Sequence, residues 1–433
     1  MPVSHSSNPS LPRKSTPRLA ELVLGLIGSL AATAAAAAQT VPGFQVSPYA
    51  TVTDPVLLSF GPDGTLYAGR DPTASGSTTP VHVSSIGVGG SPVTSLGSAA
   101  ISDPDCIVLD VAGTISGVPG TLLVSGLLGS TSIGRISGIR PDGSVVPVFD
   151  NGSWSNVVEM KFDLDGRLLF TALESRSIWV STGGPPTILA TLPGSAYPTY
   201  ITIGPDNRIV VGSSDNVLRV YAADGTLLNG SLATFSGFGG VEYGRGGAFG
   251  SDLYAVDSSA GTLVRVSATG VKTTVGTGFA TGFSTKDIEF GASGDLFVSV
   301  NTADVVLRIS SAWASLGSAL AGVSGNPILA GAGSLVAGSS NSIDLSNAAH
   351  AAPAALFVAL SSSSIPFKGG TLKPWPFFSP IFAGTSPSGT IGIPFLMPAG
   401  VPAGTSLVMQ WAIQDAAAVH GVSLSNAVVG LTP

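Results

Sequence analysis

Oxygen-bearing side chains recur within short apolar runs that end in tight turns. Asp54 precedes "PVLLSF", Asp103 and Asp105 precede "CIVLD", and Asn156 and Glu159 lie in "NVVEMKF". Tyr200 lies in "TYITI", Glu242 in "GVEY", and Asp287 and Glu289 in "KDIEF". Carboxylates brought to one channel by several strands could hold Ca²⁺, which takes roughly six to eight oxygen ligands. Other chemistries find less support. His5, His82, His350 and His420 are isolated from one another, so neither a Ser-His-Asp arrangement nor a His-rich metal spacing can be drawn. Cys106 is the only cysteine, which excludes an intrachain disulfide. Its apolar run makes it a small buried hydrophobe rather than a nucleophile. "GFGGVEYGRGG" (237–247) is Gly-rich but has strands on both sides and no helix behind it to cradle phosphate, so it reads as a loop. Trp375, Trp411 and Tyr200 could stack on sugars, although core packing is the simpler use of such rings.

These residues need elements to hold them, and the chain repeats one. "FGPDGTLYAG" (60–69) returns as "FDLDGRLLFTA" (162–172), "IGPDNRIVVGS" (203–213) and "FGASGDLFVSV" (290–300). Each phrase is the end of a strand, a turn and a second strand. The anchors before the turns are Phe60, Leu109, Phe162, Ile203, Tyr243 and Phe290, at gaps of 49, 53, 41, 40 and 47 residues. A four-stranded antiparallel meander needs about 40 residues. Third strands follow, such as "SIWVST" (177–182) and "LVRVSATG" (263–270), then fourth strands such as "TILATL" (187–192). Six meanders arranged radially bury their faces on one another, which predicts an all-β fold, a six-bladed β-propeller over residues 39–312. The last repeat lacks a clear fourth strand after "VVLRIS", while "GFQVSPYA" (43–50) is a strand without a repeat of its own. It is expected to close the ring as the outer strand of the last blade.

"VPGFQVSPYATVTDPVLLSFGPDGTLYAG" and "DLYAVDSSAGTLVRV" resemble the propellers of the NHL, gluconolactonase and strictosidine-synthase-like superfamily. The resemblance covers about residues 41–312. It implies, for the hydrolases among them, a central metal held by Glu, Asn and Asp. Asp54 stands where a gluconolactonase carries Glu, a departure that puts the activity in doubt. Asp257 in "LYAVDSS" matches the local pattern of a metal-binding Asp, and equally that of a turn-capping Asp in non-enzymatic members. The metal candidates are therefore Glu159, Asp257 and Asp287. The channel or loop-face binding candidates are Asp54, Asp105, Asn156, Tyr200, Glu242 and Glu289. Calcium is the only cofactor these residues suggest.

Past the repeats, residues 313–325 are rich in Ala, Gly and Ser and read as a flexible linker. Residues 326–433 hold short apolar strands split by Pro and Gly, which predicts a small β-sandwich. "GTSLVMQWAIQD…SNAVVGLTP" resembles a terminal module found on large bacterial exported proteins.

Arg13, Lys14 and Arg18, then "LVLGLIGSLAATAAAAA" (22–38), have the layout of a signal peptide over residues 1–38. No other stretch reaches the roughly 20 apolar residues of a membrane span. The formal charge is −7 for the whole chain, and removing residues 1–38 makes it more negative. Nucleic acid is thereby excluded as a partner, because phosphate binding needs clustered Lys and Arg. The sequence thus leads to a secreted, extracellular or envelope-associated propeller that binds a protein, a carbohydrate or an envelope component without catalysis. A Ca²⁺-dependent hydrolase of the lactonase type and a structural cell-surface component are the alternatives.

Overall fold

The computed structural model describes residues 39–70, 80–128, 133–150, 154, 156–173, 175–282 and 285–433. The expected signal peptide lies outside the described residues. No helix among them is long and apolar enough to cross a membrane.

The recurring phrase is one turn built four times. In each, the first residue donates its N–H to the carbonyl four residues on, and the residue three on donates back to it: Gly61/Thr65/Gly64, Asp163/Arg167/Gly166, Gly204/Arg208/Asn207 and Gly291/Asp295/Gly294. The returning residue must take a left-handed conformation, which Gly adopts freely and Asn tolerates. Gly64, Gly166, Asn207 and Gly294 have φ of +85°, +75°, +63° and +80°. That requirement explains why the phrase is spelled with Gly or Asn each time.

Each turn joins the first two strands of an antiparallel sheet. Sheet I contains Pro55–Phe60, Leu66–Arg70, Ser84–Ile86 and Val93–Ser95. Sheet III contains Val157–Phe162, Leu168–Ala172, Ser177–Ser181 and Thr187–Thr191. Sheet IV contains Pro198–Ile203, Ile209–Ser213, Val217–Tyr221 and Leu227–Thr234; sheet V contains Phe238–Tyr243, Leu253–Asp257, Thr262–Val266 and Lys272–Thr277. Sheet II is the irregular one. Its meander Ile107–Asp110, Thr121–Leu127, Gly134–Ile139 and Val145–Asp150 carries two short additions, Ile101–Ser102 and Pro80–Val81. The long turn after its first strand is organised by buried Asp110, whose carboxylate accepts from the backbone N–H of Thr114, Ile115 and Ser116.

Sheet VI is built from both ends of the repeat region. Thr285–Phe290, Leu296–Val300 and Val305–Ser311 come from its end, and the outer strand Phe44–Thr51 comes from its beginning. The first strands touch in a closed order, I–II–III–IV–V–VI and back to I. The faces between them are filled by buried apolar side chains, among them Leu57, Met160, Phe170, Leu218, Val241 and Ala255 in one continuous core. The fold is an all-β propeller.

A β-sandwich follows directly. Trp313–Gly317 pairs with Ala427–Leu431, which pairs with Ser406–Gln414, then Pro353–Ala359, then Ile381–Gly384. Facing this sheet are Ile328–Ala332, Ser340–Ser346 and Ile391–Leu396. Trp313, Ile343, Leu345, Leu356 and Trp411 fill the space between. The stretch 313–325 is therefore no flexible linker. Only Ala312 separates the last propeller strand from the first sandwich strand, Leu320 bridges to Leu424, and Val323 N–H donates to the Asp415 carboxylate. Gln45 on the closing strand also donates from Nε2 to the Leu431 carbonyl at 2.6 Å. Of the aromatic rings assigned to the core, Trp411 and Tyr200 are buried, whereas Trp375 is 42% exposed.

Deleting residues 39–50 is expected to lower the melting temperature of the entire propeller, because Val305–Ser311 would become an unpaired edge. An unchanged melting curve would rule out this closure.

Candidate functional site

The pairing register defines equivalent positions on the six first strands. Phe60, Leu109, Phe162, Ile203, Tyr243 and Phe290 oppose Leu66, Leu122, Leu168, Ile209, Leu253 and Leu296. Because side chains alternate along a strand, the residues one and three positions earlier share a face. One step back are Ser59, Val108, Lys161, Thr202, Glu242 and Glu289; three steps back are Leu57, Cys106, Glu159, Tyr200, Gly240 and Asp287. These form two tiers at the axis. β-Bulges interrupt the first strands of sheets I, III, IV, V and VI just there, and bulges re-aim side chains.

Lys161 is the hub. Its Nζ lies 2.5 Å from Glu289 Oε2, 2.7 Å from Glu242 Oε2 and 3.8 Å from Glu159 Oε1. Thr202 donates from Oγ1 to Glu242 Oε1 at 2.7 Å, and Arg245, on the turn after sheet V's first strand, reaches Glu289 Oε1 at 3.2 Å. In the second tier, Glu159 Oε2 accepts from Ile201 N–H at 2.6 Å and Asp287 Oδ2 from Leu58 N–H at 2.8 Å. Asp287 is fully buried, and its Oδ1 has no hydrogen-bond partner. It fits only because Gly240 lacks a side chain: a Cβ there would collide with that oxygen.

Four carboxyl groups thus face one ammonium and one guanidinium, largely out of water. Burial raises the Asp287 carboxyl to about 7, with Lys161 pulling against it. Burial likewise holds Glu159 well above the usual carboxylate range and raises Glu289. Burial pushes Glu242 upward too, but the Lys161 charge and the hydrogen bonds from Lys161 and Thr202 outweigh it and leave it lowered. Lys161 itself is disfavoured by burial, yet Glu242, Glu289 and Glu159 more than compensate and hold its proton firmly. Burial thus favours the protonated form of Asp287, Glu159 and Glu289, while Lys161 and Arg245 supply the positive charge that opposes it. The Asp287 carboxyl, at about 7, can exchange a proton near neutral pH, and Tyr200 and Cys106, both raised by burial, lie beside it.

The residue predictions divide accordingly. Glu159, Asp287, Glu242, Glu289 and Tyr200 belong to the two axial tiers. Asp257 does not join them. It ends the second strand of sheet V, and its carboxylate accepts from Ser236 Oγ at 2.5 Å, Ser236 N–H at 3.0 Å and Ala260 N–H at 3.2 Å. Those bonds tie a turn together. Asp54, with φ +49°, donates its N–H to Asp304 Oδ1 where sheets I and VI meet. Asp105 takes part through its backbone, its carbonyl accepting from Leu57 N–H, and the Asn156 carbonyl accepts from Leu173 N–H.

A calcium ion does not fit this donor set. It would need the oxygens of Glu159, Glu242 and Glu289 converging on itself at roughly 2.3–2.6 Å, and these already converge on the Lys161 ammonium. Among the described residues, no group of three or more His, Cys, Asp or Glu side chains could hold a metal ion. Lys161 and Thr202 are absent from the sequence-based candidates. Lys161 lies two residues beyond Glu159, so strand alternation placed it on the same face.

No family model matches the chain, and no curated protein matches it. Solved structures with a related course include a virginiamycin B lyase from Staphylococcus aureus, at 17% identity and a TM-score of 0.42, covering 59% of this chain and 82% of that one. A gluconolactonase from Xanthomonas campestris has 14% identity and a TM-score of 0.47, covering 63% and 95%. A putative oxidoreductase (glucose dehydrogenase) from Thermus thermophilus has 15% identity and a TM-score of 0.47, covering 62% and 100%.

Replacing Lys161 with Met should destabilise the protein by roughly 3–5 kcal/mol, the cost of breaking a buried ion pair from one side. Chemical denaturation measures it; a loss below about 1 kcal/mol would show that the carboxylates reach water instead. Asp287 supplies a pH test. An unfolded Asp loses its proton near about 3.9, and the folded one near about 7. The folded state binds more protons between these values, so this group's contribution falls as pH rises through that window. Asp287→Asn should make the decline in stability between about pH 4 and 7 shallower. An identical slope in both proteins would mean that Asp287 titrates normally.

Proposed function

We propose that this chain is a secreted, non-catalytic binding protein, a six-bladed propeller of the NHL, gluconolactonase and strictosidine-synthase-like kind. Its loop faces and its sandwich meet a protein, carbohydrate or envelope partner. One observation carries the reading: the acids at the axis are already answered by Lys161. A site in which an internal ammonium neutralises the carboxylates has spent them on holding sheets III, V and VI together. The leader-like residues 1–38 support export, and the acidic balance of the chain argues against nucleic acid.

A second reading has its own observation. Asp287 offers an unpartnered oxygen, is raised to about 7, and stands in the same tier as Tyr200. A carboxyl poised near neutral pH is a candidate proton carrier, which suits a hydrolase of the lactonase type.

Calorimetric titration with Ca²⁺, together with a hydrolysis assay on gluconolactone, separates the two. The binding reading expects no heat of Ca²⁺ binding and no hydrolysis above buffer. Micromolar Ca²⁺ affinity that disappears in Glu159→Ala or Asp287→Ala would overturn it in favour of the hydrolase.

A further inference from the structure

The strand Ile381–Gly384 is the last of its sandwich sheet, and among the described residues it is bonded on one side only, to Pro353–Ala359. Main-chain groups in an antiparallel pair point to the partner at alternate residues. Thr385 N–H donates to the Ala352 carbonyl and Phe378 N–H to the Val358 carbonyl, which fixes the alternation. Ile381 and Ala383 therefore spend their main chain on Pro353–Ala359, and Phe382 and Gly384 turn theirs outward. The bare ladder stops there. Pro380 has no N–H to give, and Ser386 N–H is taken by the Thr390 carbonyl.

Natural edges are often blunted by charged side chains, Lys above all. No Asp, Glu, Lys, Arg or His lies between Lys373 and Asp415, so this edge has no such guard of its own. It is apolar instead: Phe382 is 80% exposed and Ile381 50%. What covers it must be an extended strand, because a strand answers outward N–H and C=O groups at alternate residues.

The residues select a second copy. Two-fold pairing about Ala383 sets Phe382 of each copy opposite Gly384 of the other, so both outward residues exchange their bonds at once. Gly384 has no evident use within its own chain: its φ is not left-handed, and a Cβ there would meet only the Ala352 carbonyl oxygen, at 4.0 Å. Opposite a phenylalanine it has one, since a ring laid across a facing glycine covers the bared backbone. Charge selects in the same direction. The chain is formally −7, and two copies can approach edge to edge here without setting acid against acid. We infer that two copies of this chain join their sandwich sheets edge to edge, Ile381–Gly384 against Ile381–Gly384, in one continuous antiparallel sheet. The two Phe382 rings bury about 150–250 Å² each, well short of the roughly 1,200 Å² at which standard interfaces begin, so the dimer is reversible. The pairing is independent of what the propeller binds or converts.

Sedimentation velocity is the first test, on residues 39–433, which form one compact unit. Between about 1 and 300 μM, the range in which a sub-standard interface assembles, the monomer should convert to a dimer. Phe382→Lys and Gly384→Pro should each weaken association at least tenfold and leave the melting temperature unchanged. The proline removes only an outward N–H that its own sheet does not use, so it separates strand pairing from apolar adhesion. Ala383→Cys reads the register. The Cα atoms of a non-hydrogen-bonded antiparallel pair lie about 4.5 Å apart, within the roughly 4.4–6.8 Å that a disulfide spans, and the native Cys106 is buried. Mild oxidation should link two copies through position 383 at least tenfold faster than through Phe378→Cys, an exposed position five residues off the two-fold. A monomer at every concentration would leave the edge to a strand of another protein and overturn the inference. Association that survives Gly384→Pro, or equal cross-linking at the two positions, would overturn it as well.

Discussion

Lys161 brings a single ammonium to the place where carboxyl groups from sheets III, V and VI converge out of water, and closing the ring depends on that charge. Transferring a lone carboxylate from water to a protein interior costs several kcal/mol. Four of them on one axis would force the strands apart unless the charge were cancelled. The arrangement eases it twice, by attraction to Lys161 and Arg245 and by burial that shifts Asp287 and Glu159 toward their protonated forms. Sheet IV takes part through Thr202, whose hydroxyl fixes the rotation of Glu242. The polar cluster therefore specifies which side chains meet at the centre, while the apolar faces between sheets supply most of the burial.

The same logic holds at the axis and at the rim. At the axis, donors and acceptors are nearly all matched inside the protein, and the two exceptions to easy matching, the Asp287 oxygen and the absent Gly240 side chain, lie against each other. At the rim of sheet IV, the Arg219–Asp215 pair, with Ser213 as third partner, ties the turn between two strands. A charge network with nearly all its partners in place is a scaffold.

The fold was readable because its signals are local. Positive φ at Gly64, Gly166, Asn207 and Gly294 demands Gly or Asn, and those letters recur at the repeat spacing. The partner of the orphan strand near residue 44 followed from counting strands. Two features resisted. Residues 313–317 are strand because Gly430, Val429 and Val428 pair with them and Trp313 is buried across the sandwich, neither of which is encoded in an Ala/Gly/Ser composition. At the axis, acids attracted notice as metal ligands, while Lys161 two residues past Glu159 did not. Which faces meet is a register question, and a shift of one residue reverses it. Asp257 shows the converse: its local pattern suits both a ligand and a turn, and only the positions of Ser236 and Ala260 decide.

The closing strand also has a consequence in time. Phe44–Thr51 is made before every other strand of the described residues, and its partner Val305–Ser311 is the last strand of the propeller. As the chain emerges from N- to C-terminus, this strand must wait with both edges bare while five sheets form beside it. Waiting edges are templates for aggregation. Its composition suits the interval: Ser47 and Pro48 interrupt the apolar run, and Pro48 offers no N–H to a stray neighbour. Contacts of such long sequence separation slow folding, and the pairing that closes the ring spans nearly the whole propeller sequence.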